Sequence, residues 1–376
     1  MRVRALLLLW IALVFAALWT YGMPAGAASA GVGFVPPAAR PVTSGEPYLH
    51  ASMLDGNSVR SVHSCTLVEL SGGRLRAFWY GGSREGALDV AIYTAVYDPA
   101  VRTWSRERAL IDRANSQDGL QRCVQKLGNS CALLDSSGKL WLFFVTSMTG
   151  WSGSSINVTT SPDEGETWTP PRRLVTSPFL NLSTLVRNPP FQFADGTIGL
   201  PVYHEFLSKF CELLRLDGDG NVLSKQRLTQ DRLAIQPAIV PFGAQEAVCL
   251  MRPTYSSPKR VIGSRTTDGG RTWSAAAPLG LTSDRSGVAG VRMPDGGLLA
   301  AARVMRKLTL SVSRDQGTTW QTVAHASEGL VAEDPNERTT YPCLLLTKAG
   351  EYHLVFTYNR REIRHMHFNQ AWLDLP

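Results

Sequence analysis

Nothing in this chain repeats with the period of a long helix: apolar residues do not recur about every 3.6 positions over any sustained stretch, which excludes a helical bundle or coiled coil. There is no Cys-x-x-Cys pair and no histidine-rich ligand cluster of the usual spacing, so neither a metal nor another cofactor is expected. Lysine and arginine form no dense run. The formal net charge of +7 is therefore a mildly basic surface rather than a nucleic-acid patch, and no nucleic-acid partner is expected. No linker interrupts the chain after residue 46, so 376 residues, enough for two domains, read as one domain over 46–376.

What the chain does have is internal repetition. Ser161-Pro-Asp-Glu-Gly-Glu-Thr-Trp168 recurs as Thr266-Thr-Asp-Gly-Gly-Arg-Thr-Trp273 and as Ser313-Arg-Asp-Gln-Gly-Thr-Thr-Trp320, with a degenerate copy ending at Thr103-Trp104. In each, Asp and Ser/Thr oxygens can accept from nearby backbone N–H groups, Gly supplies a positive φ, and Trp packs behind the turn. A second repeat is a Gly followed by a short apolar run, from Gly73, Gly138, Gly196, Gly243, Gly297 and Gly350. An apolar strand precedes each run and an alternating strand follows it. This order of strands predicts an all-β fold: a six-bladed β-propeller of four-stranded antiparallel blades. The last blade lacks a fourth strand, and the segment Glu46 to Leu54 is expected to supply it and close the ring.

At the N-terminus, Arg2 and Arg4 precede an apolar run from Ala5 to Trp19, and Ala28-Ser-Ala30 offers a cleavage site. Residues 1–30 read as a secretory signal peptide, so the protein is expected to be exported, periplasmic or secreted, and monomeric. The membrane is a partner only if this segment stays as an uncleaved anchor. Residues 31–45, rich in Pro, Ala and Gly, read as a tether. In an exported chain the six cysteines permit disulfides. Cys123 with Cys131 and Cys211 with Cys249 are the pairings weighed, while Cys65 and Cys343 read as buried thiols.

A propeller gathers the starts of its innermost strands and the loops after its second strands around one axial mouth. The first set holds His63, Asn129, Arg187 with Asn188, Gln236, Ser286 and Tyr341; the second holds Arg84, Glu85, Asp89, His204, Glu205, Lys209, Arg252, Arg303, Arg306, Asn359, Arg360 and Arg361. Guanidinium forks in this number suit a carboxylate-bearing sugar.

The eight-residue turn is the Asp box, and on these motifs the chain resembles the sialidase (neuraminidase) superfamily. Within it, His63-Ser-x-Thr and Gly81-Gly-Ser-Arg-Glu-Gly86 resemble divergent bacterial sialidase-like proteins. The resemblance implies a glycosidase in which three arginines hold the sialate carboxylate, a first-blade Asp is acid/base and a Glu-activated Tyr attacks the anomeric carbon. Thr340-Tyr-Pro-Cys-Leu-Leu345 looks like the nucleophile segment, making Tyr341 that residue, and Asp89 lies where the acid/base belongs. Arg252 and Arg306 look like the second and third arginines, Arg303 competing with Arg306, and Arg84 joins them as a carboxylate grip. Glu85, Arg187, His204 and Arg361 complete the expected substrate contacts.

Two departures stand out. His63 replaces the first arginine, and Gln236 replaces the activating Glu; a neutral amide cannot take the phenol proton, so Glu205 is the candidate substitute. The expected partner is an acidic glycan or oligosaccharide. Two rival readings are a uronic-acid polysaccharide lyase, with His63 or His204 removing the α proton, and a non-catalytic carbohydrate-binding propeller.

Overall fold

The computed structural model of the protein describes residues 6–14, 33–36, 38, 40–42, 45–54, 59–150, 153–177, 183–206, 208–229, 231–325 and 338–375. Six antiparallel sheets form, each built from one stretch of chain except the last. The inner strands of blades I to VI are Ser61–Glu69, Lys126–Leu134, Thr184–Val186 with Phe191–Gln192, Ala234–Pro241, Val288–Arg292 and Thr339–Leu346. The second strands are Leu75–Gly82, Leu140–Ser147, Ile198–His204, Ala247–Pro253, Leu298–Val304 and Tyr352–Tyr358.

Burial falls from the hub outwards. Second strands are sandwiched between neighbouring blades, and so every residue of Leu75–Gly82, Leu140–Ser147 and Tyr352–Tyr358 is buried. The outer strand Arg172–Arg173 is exposed. The core is a series of apolar layers between blades: Val240 and Leu250 of blade IV, for example, meet Val288 and Leu298 of blade V. Gly290 permits that approach, since a Cβ there would stand 2.8 Å from Leu250.

The ring closes as the sequence predicts. Leu49–Leu54 pairs antiparallel with Glu362–Phe368, from Leu49 opposite Phe368 to Leu54 opposite Ile363, and becomes the fourth strand of blade VI. The Asp boxes form the expected turns. In the first, Asp163 accepts from the Thr167 hydroxyl (2.6 Å) and amide (2.8 Å), Gly165 has φ +100°, and Trp168 Nε1 donates to the Gly165 carbonyl. Those Thr167 donors, with Ser161, hold the Asp163 carboxyl down at about 2.

Where the cysteine spacing suggests disulfides, the thiols are free. Cys123 is exposed in the loop ahead of Lys126–Leu134, whereas Cys131 is buried within that strand. Cys211 Sγ instead faces the Ala234 carbonyl at 3.5 Å, and Cys249 is also a buried thiol. Residues 6–14 are helical, and no helix among the described residues is long and apolar enough to cross a membrane. The candidate cleavage site at 28–30 lies outside the described residues.

Residues 33–42, where described, lie against the base of the wheel. Phe34 is fully buried, stacked on Phe193 (5.5 Å between centroids), and its N–H donates to the Ala244 carbonyl at 2.8 Å. Ala38 and Arg40 line an axial cavity of about 540 Å³ walled by the far ends of the inner strands, including Leu67, Ala132, Val240 and Leu346. This cavity is at the opposite end of those strands from His63, Gln236 and Tyr341.

Phe34→Ala is expected to destabilise the fold by about 3–5 kcal/mol, because it removes a fully buried ring from a closed apolar site. Urea unfolding of the two proteins measures this; an unchanged midpoint would show that the segment adds nothing to the wheel.

Candidate active site

A recurrent irregularity aims the inner-strand side chains. The ladder between first and second strands slips at His63/Thr66 in blade I, Leu127/Ser130 in blade II, Ile235/Ala238 in blade IV and Thr340/Cys343 in blade VI. Such a bulge adds a residue to one strand and turns its side chain out of the alternating pattern. Ser64, Gln236 and Tyr341 occupy the bulges with φ of 59°, 57° and 54°. Left-handed backbone at residues other than glycine costs about 1–3 kcal/mol, and it persists where surrounding contacts impose it. In blade III, Pro189 and Pro190 interrupt the ladder instead, leaving Arg187 and Asn188 between two short pieces of strand.

These irregularities bring together residues from blades I, III, IV and VI. The Tyr341 hydroxyl lies 3.4 Å from Gln236 Nε2 and 3.5 Å from Arg252 Nη1, both donors. Arg252 also donates through Nη1 to Gln236 Oε1 at 3.4 Å and through Nε to the Arg285 carbonyl at 2.7 Å, which fixes the fork. The His63 ring stands edge-on to the Tyr341 ring, 4.4 Å between centroids at 88°. Arg187, only 1% exposed, places its guanidinium carbon 5.0 Å from the centre of the Tyr341 ring and donates through Nη2 to the Pro342 carbonyl at 2.9 Å. Its Nε and Nη1 have no partner among the described residues. Asn188 pins the bulge of blade IV by donating to the carbonyls of Gln236 and Pro237.

Electrostatics follow from this packing. Burial, reinforced by Arg360, Arg187, Arg338 and Arg252, pushes the His63 imidazole well below its usual range, so it is neutral at pH 7. Burial raises Tyr203, and the Glu205 charge adds to the effect. Burial also raises Tyr80, whose hydroxyl meets Glu85 at 3.3 Å while Glu85 pairs with Arg360 at 2.7 Å. Among the described residues no carboxylate hydrogen-bonds Tyr341.

The other candidates take different positions. Asp89 is exposed, and its two oxygens accept from the Ser83 amide and hydroxyl at 2.9 Å each, capping the blade I loop; Arg84 is exposed in that loop. His204 faces along its own blade, with Nε2 2.8 Å from Glu212 and its ring stacked on Phe210. Glu205 is half-buried, its N–H donating to Ser183 Oγ. Arg303 bridges the Thr339 and Asp284 carbonyls at 3.4 Å each, with Nε 3.7 Å from the Asp284 carboxylate. Arg306 is exposed with φ +72°, its N–H donating to Asp284, and Arg361 is exposed on the turn after Tyr358.

Tyr80, Tyr203, Asp284, Arg285 and Arg338 were absent from the candidate set. Tyr80 and Tyr203 carried a signal: each lies at or near the end of an apolar second strand, the topological place that singles out Arg252.

The fold and its three Asp boxes define a six-bladed β-propeller with Asp-box turns. Residues 73–354 match the family model of the BNR repeat-like domain, and the chain belongs to that family. A sequence search of curated proteins finds no match. Among solved structures, a Hadza microbial sialidase is similar at 15% identity and a TM-score of 0.68, over 83% of this chain and 66% of that one. NanB sialidase from Streptococcus pneumoniae is similar at 13% identity and 0.65, over 85% of this chain and 70% of its own. A protein of unknown function from Dyadobacter fermentans matches at 13% identity and 0.67, over 85% and 99%. At such identities the likeness is one of fold.

His63 is expected to stay neutral well below the usual imidazole range, because protonation would place a cation among arginines without solvent. Because its folded-state value is lowered, the stability it contributes is complete above about pH 6.5 and is lost as pH falls below that. NMR titration of its ring resonances measures this; an ordinary midpoint near 6.5 would contradict it.

Proposed function

We propose that this protein is an exported glycoside hydrolase of sialidase type acting on a terminal, carboxylate-bearing sugar of a glycan. The supporting observation is the meeting of Tyr341 with Arg252, Gln236, His63 and Arg187 at one axial mouth, where guanidinium groups outnumber carboxylates. A neutral phenol suits that setting, since a carboxylate nucleophile would repel the acid of the substrate. In this reading Arg252, with Arg303, Arg306 and Arg84 around the mouth, grips the sugar carboxylate. Glu85, Arg187, His204 and Arg361 are assigned to the surrounding substrate-binding shell.

The Tyr341 oxygen then attacks the anomeric carbon as the bond to the leaving oxygen breaks, and Asp89 gives that oxygen its proton. Glu205, assigned in place of Gln236, takes the phenol proton. Water, with Asp89 now as base, releases the sugar and restores the phenol. Residues 1–30 are proposed to be the export signal, leaving the propeller of 46–376 and the segment before it as the working protein.

One observation favours a second reading. A neutral imidazole in edge contact with Tyr341, next to an amide where an acid is expected, also suits β-elimination of a uronic acid. Arg252 would neutralise the carboxylate, His63 would take the α proton and Tyr341 would protonate the leaving oxygen.

A panel of acidic glycosides and uronate oligosaccharides tests both. Tyr341→Phe is expected to lower kcat by about 10³-fold or more, and Arg252→Met to raise KM by about tenfold or more. Release of a saturated acidic sugar supports hydrolysis; a product with new ultraviolet absorption from a conjugated uronate supports elimination. Binding without turnover, unaffected by Tyr341→Phe, would leave a carbohydrate-binding propeller.

A further inference from the structure

Three histidines meet where the ring closes. His353 is on the second strand of blade VI, while His365 and His367 are on the strand that receives the closing segment. His353 and His365 are nearly coplanar, at 6°, with His353 Nδ1 2.9 Å from His365 Nε2. His367 stacks face to face on His353, 4.1 Å between centroids at 18°.

Side chains from outside this sheet, and from the closing strand, determine the protons. The Trp104 indole N–H of blade I, which can only donate, points at His365 Nδ1 at 3.2 Å, and the Ser52 hydroxyl of the closing strand reaches the same nitrogen at 3.1 Å. His365 must therefore carry its proton on Nε2 and donate it to His353 Nδ1. Tyr48, just before the closing strand, donates to Glu351 at 2.9 Å and lies 3.1 Å from His367 Nε2, which is 3.0 Å from Glu351. Tyr97 of blade I reaches His367 Nδ1 at 3.3 Å.

A cation does not fit this cluster. Glu351, His353 and His367 each place a ligand atom within 4.8 Å of the others. The stacked rings of His353 and His367 nevertheless send their in-plane lone pairs side by side rather than toward one point, against the convergence that imidazole ligation needs.

The hydrogen-bond pattern leaves no room for another proton either. A proton on His353 Nδ1 would face the His365 N–H; one on His365 Nδ1 would face the Trp104 N–H. We infer that this seam is a pH-sensitive latch, in which protonation of the His353–His365 pair frees the closing strand Leu49–Leu54 from the last blade.

Burial and the mutual proximity of the imidazoles hold His353 well below its usual range and His365 at about 3. The charged or titratable groups facing the cluster are Glu351 in blade VI, Tyr48 and His50 from the closing segment, and Tyr97, Asp98 and Arg102 from blade I. Glu351 is committed to His367 and Tyr48, and Arg102 lies near it, so the carboxylate does not neutralise a proton on His365.

Because both folded-state values are depressed, the unfolded chain takes up protons below about pH 6.5 that the folded chain excludes. Stability is full above that value and falls as pH drops, about tenfold in the folding constant per pH unit for each imidazole and about a hundredfold for the pair. The latch itself is read from stability and does not depend on the proposed activity.

Urea unfolding of the propeller between pH 7.5 and pH 4.5 tests it. His365→Gln keeps an acceptor and a donor but cannot titrate, and is expected to reduce the acid slope by about one proton, or tenfold per pH unit. An unchanged slope, or a flat profile in the natural protein, would overturn the proposal. Deuterium uptake by the natural protein, corrected for intrinsic exchange, gives a second reading that no variant can spoil. In acid, Leu49–Leu54 and Glu362–Phe368 are expected to open before the inner strands. Joining Cα partners Met53 and Arg364 as Met53→Cys with Arg364→Cys is expected to suppress that opening. Uniform uptake around the ring, or acid opening that survives the crosslink, would refute the latch.

Discussion

The apolar contact between the last blade and the first carries the whole wheel. Val62, Cys65 and Leu67 of blade I meet Cys343, Val355 and Ile363 of blade VI, with Leu54 of the closing strand in the same layer. Every other interblade layer joins stretches that follow one another along the chain. This one joins its two ends, so its loop-closure entropy is the largest and its loss exposes two blade faces at once.

The candidate site depends on that contact. Tyr341 and His63 meet only because blades VI and I touch, and Arg187 reaches Tyr341 from blade III across the axis. What results is a mouth with cations around a phenol, an amide and a neutral imidazole. Its negative charge sits one step away, on Glu85 paired with Arg360 and on Glu205 near Tyr203. A ligand carrying its own carboxylate would complete this charge pattern. The nitrogens of buried Arg187 that have no partner among the described residues keep a positive floor beneath Tyr341.

Much of the architecture was legible in the residues because its signals are local. An Asp box is a turn closed by its own Asp, Thr and Gly, and each apolar strand after a Gly is a run of neighbours in sequence. The closing strand was visible because blade VI was one strand short. The site was legible only as a set of topological positions. Tyr203 and His204 show why: adjacent residues on a strand point to opposite faces, so Tyr203 turns toward Gln236 while His204 turns to Glu212. The bulges at Ser64, Gln236 and Tyr341 break even that alternation, and no composition rule marks where the extra residue falls.

The residues alone therefore decided the repeat, the number of blades and the pool of polar groups near the axis. Each of these follows from local turn chemistry and period-two burial. Pairings between distant residues were left to the assembled wheel: the Tyr341 cluster, the free thiols, the docking of Phe34 and the histidine seam. His353 and His365 are far enough apart in sequence to suggest no bond, and the Trp104 proton that sets their tautomers comes from another blade. Such contacts depend on register and ring closure, which are properties of the packed whole and not of any segment within it.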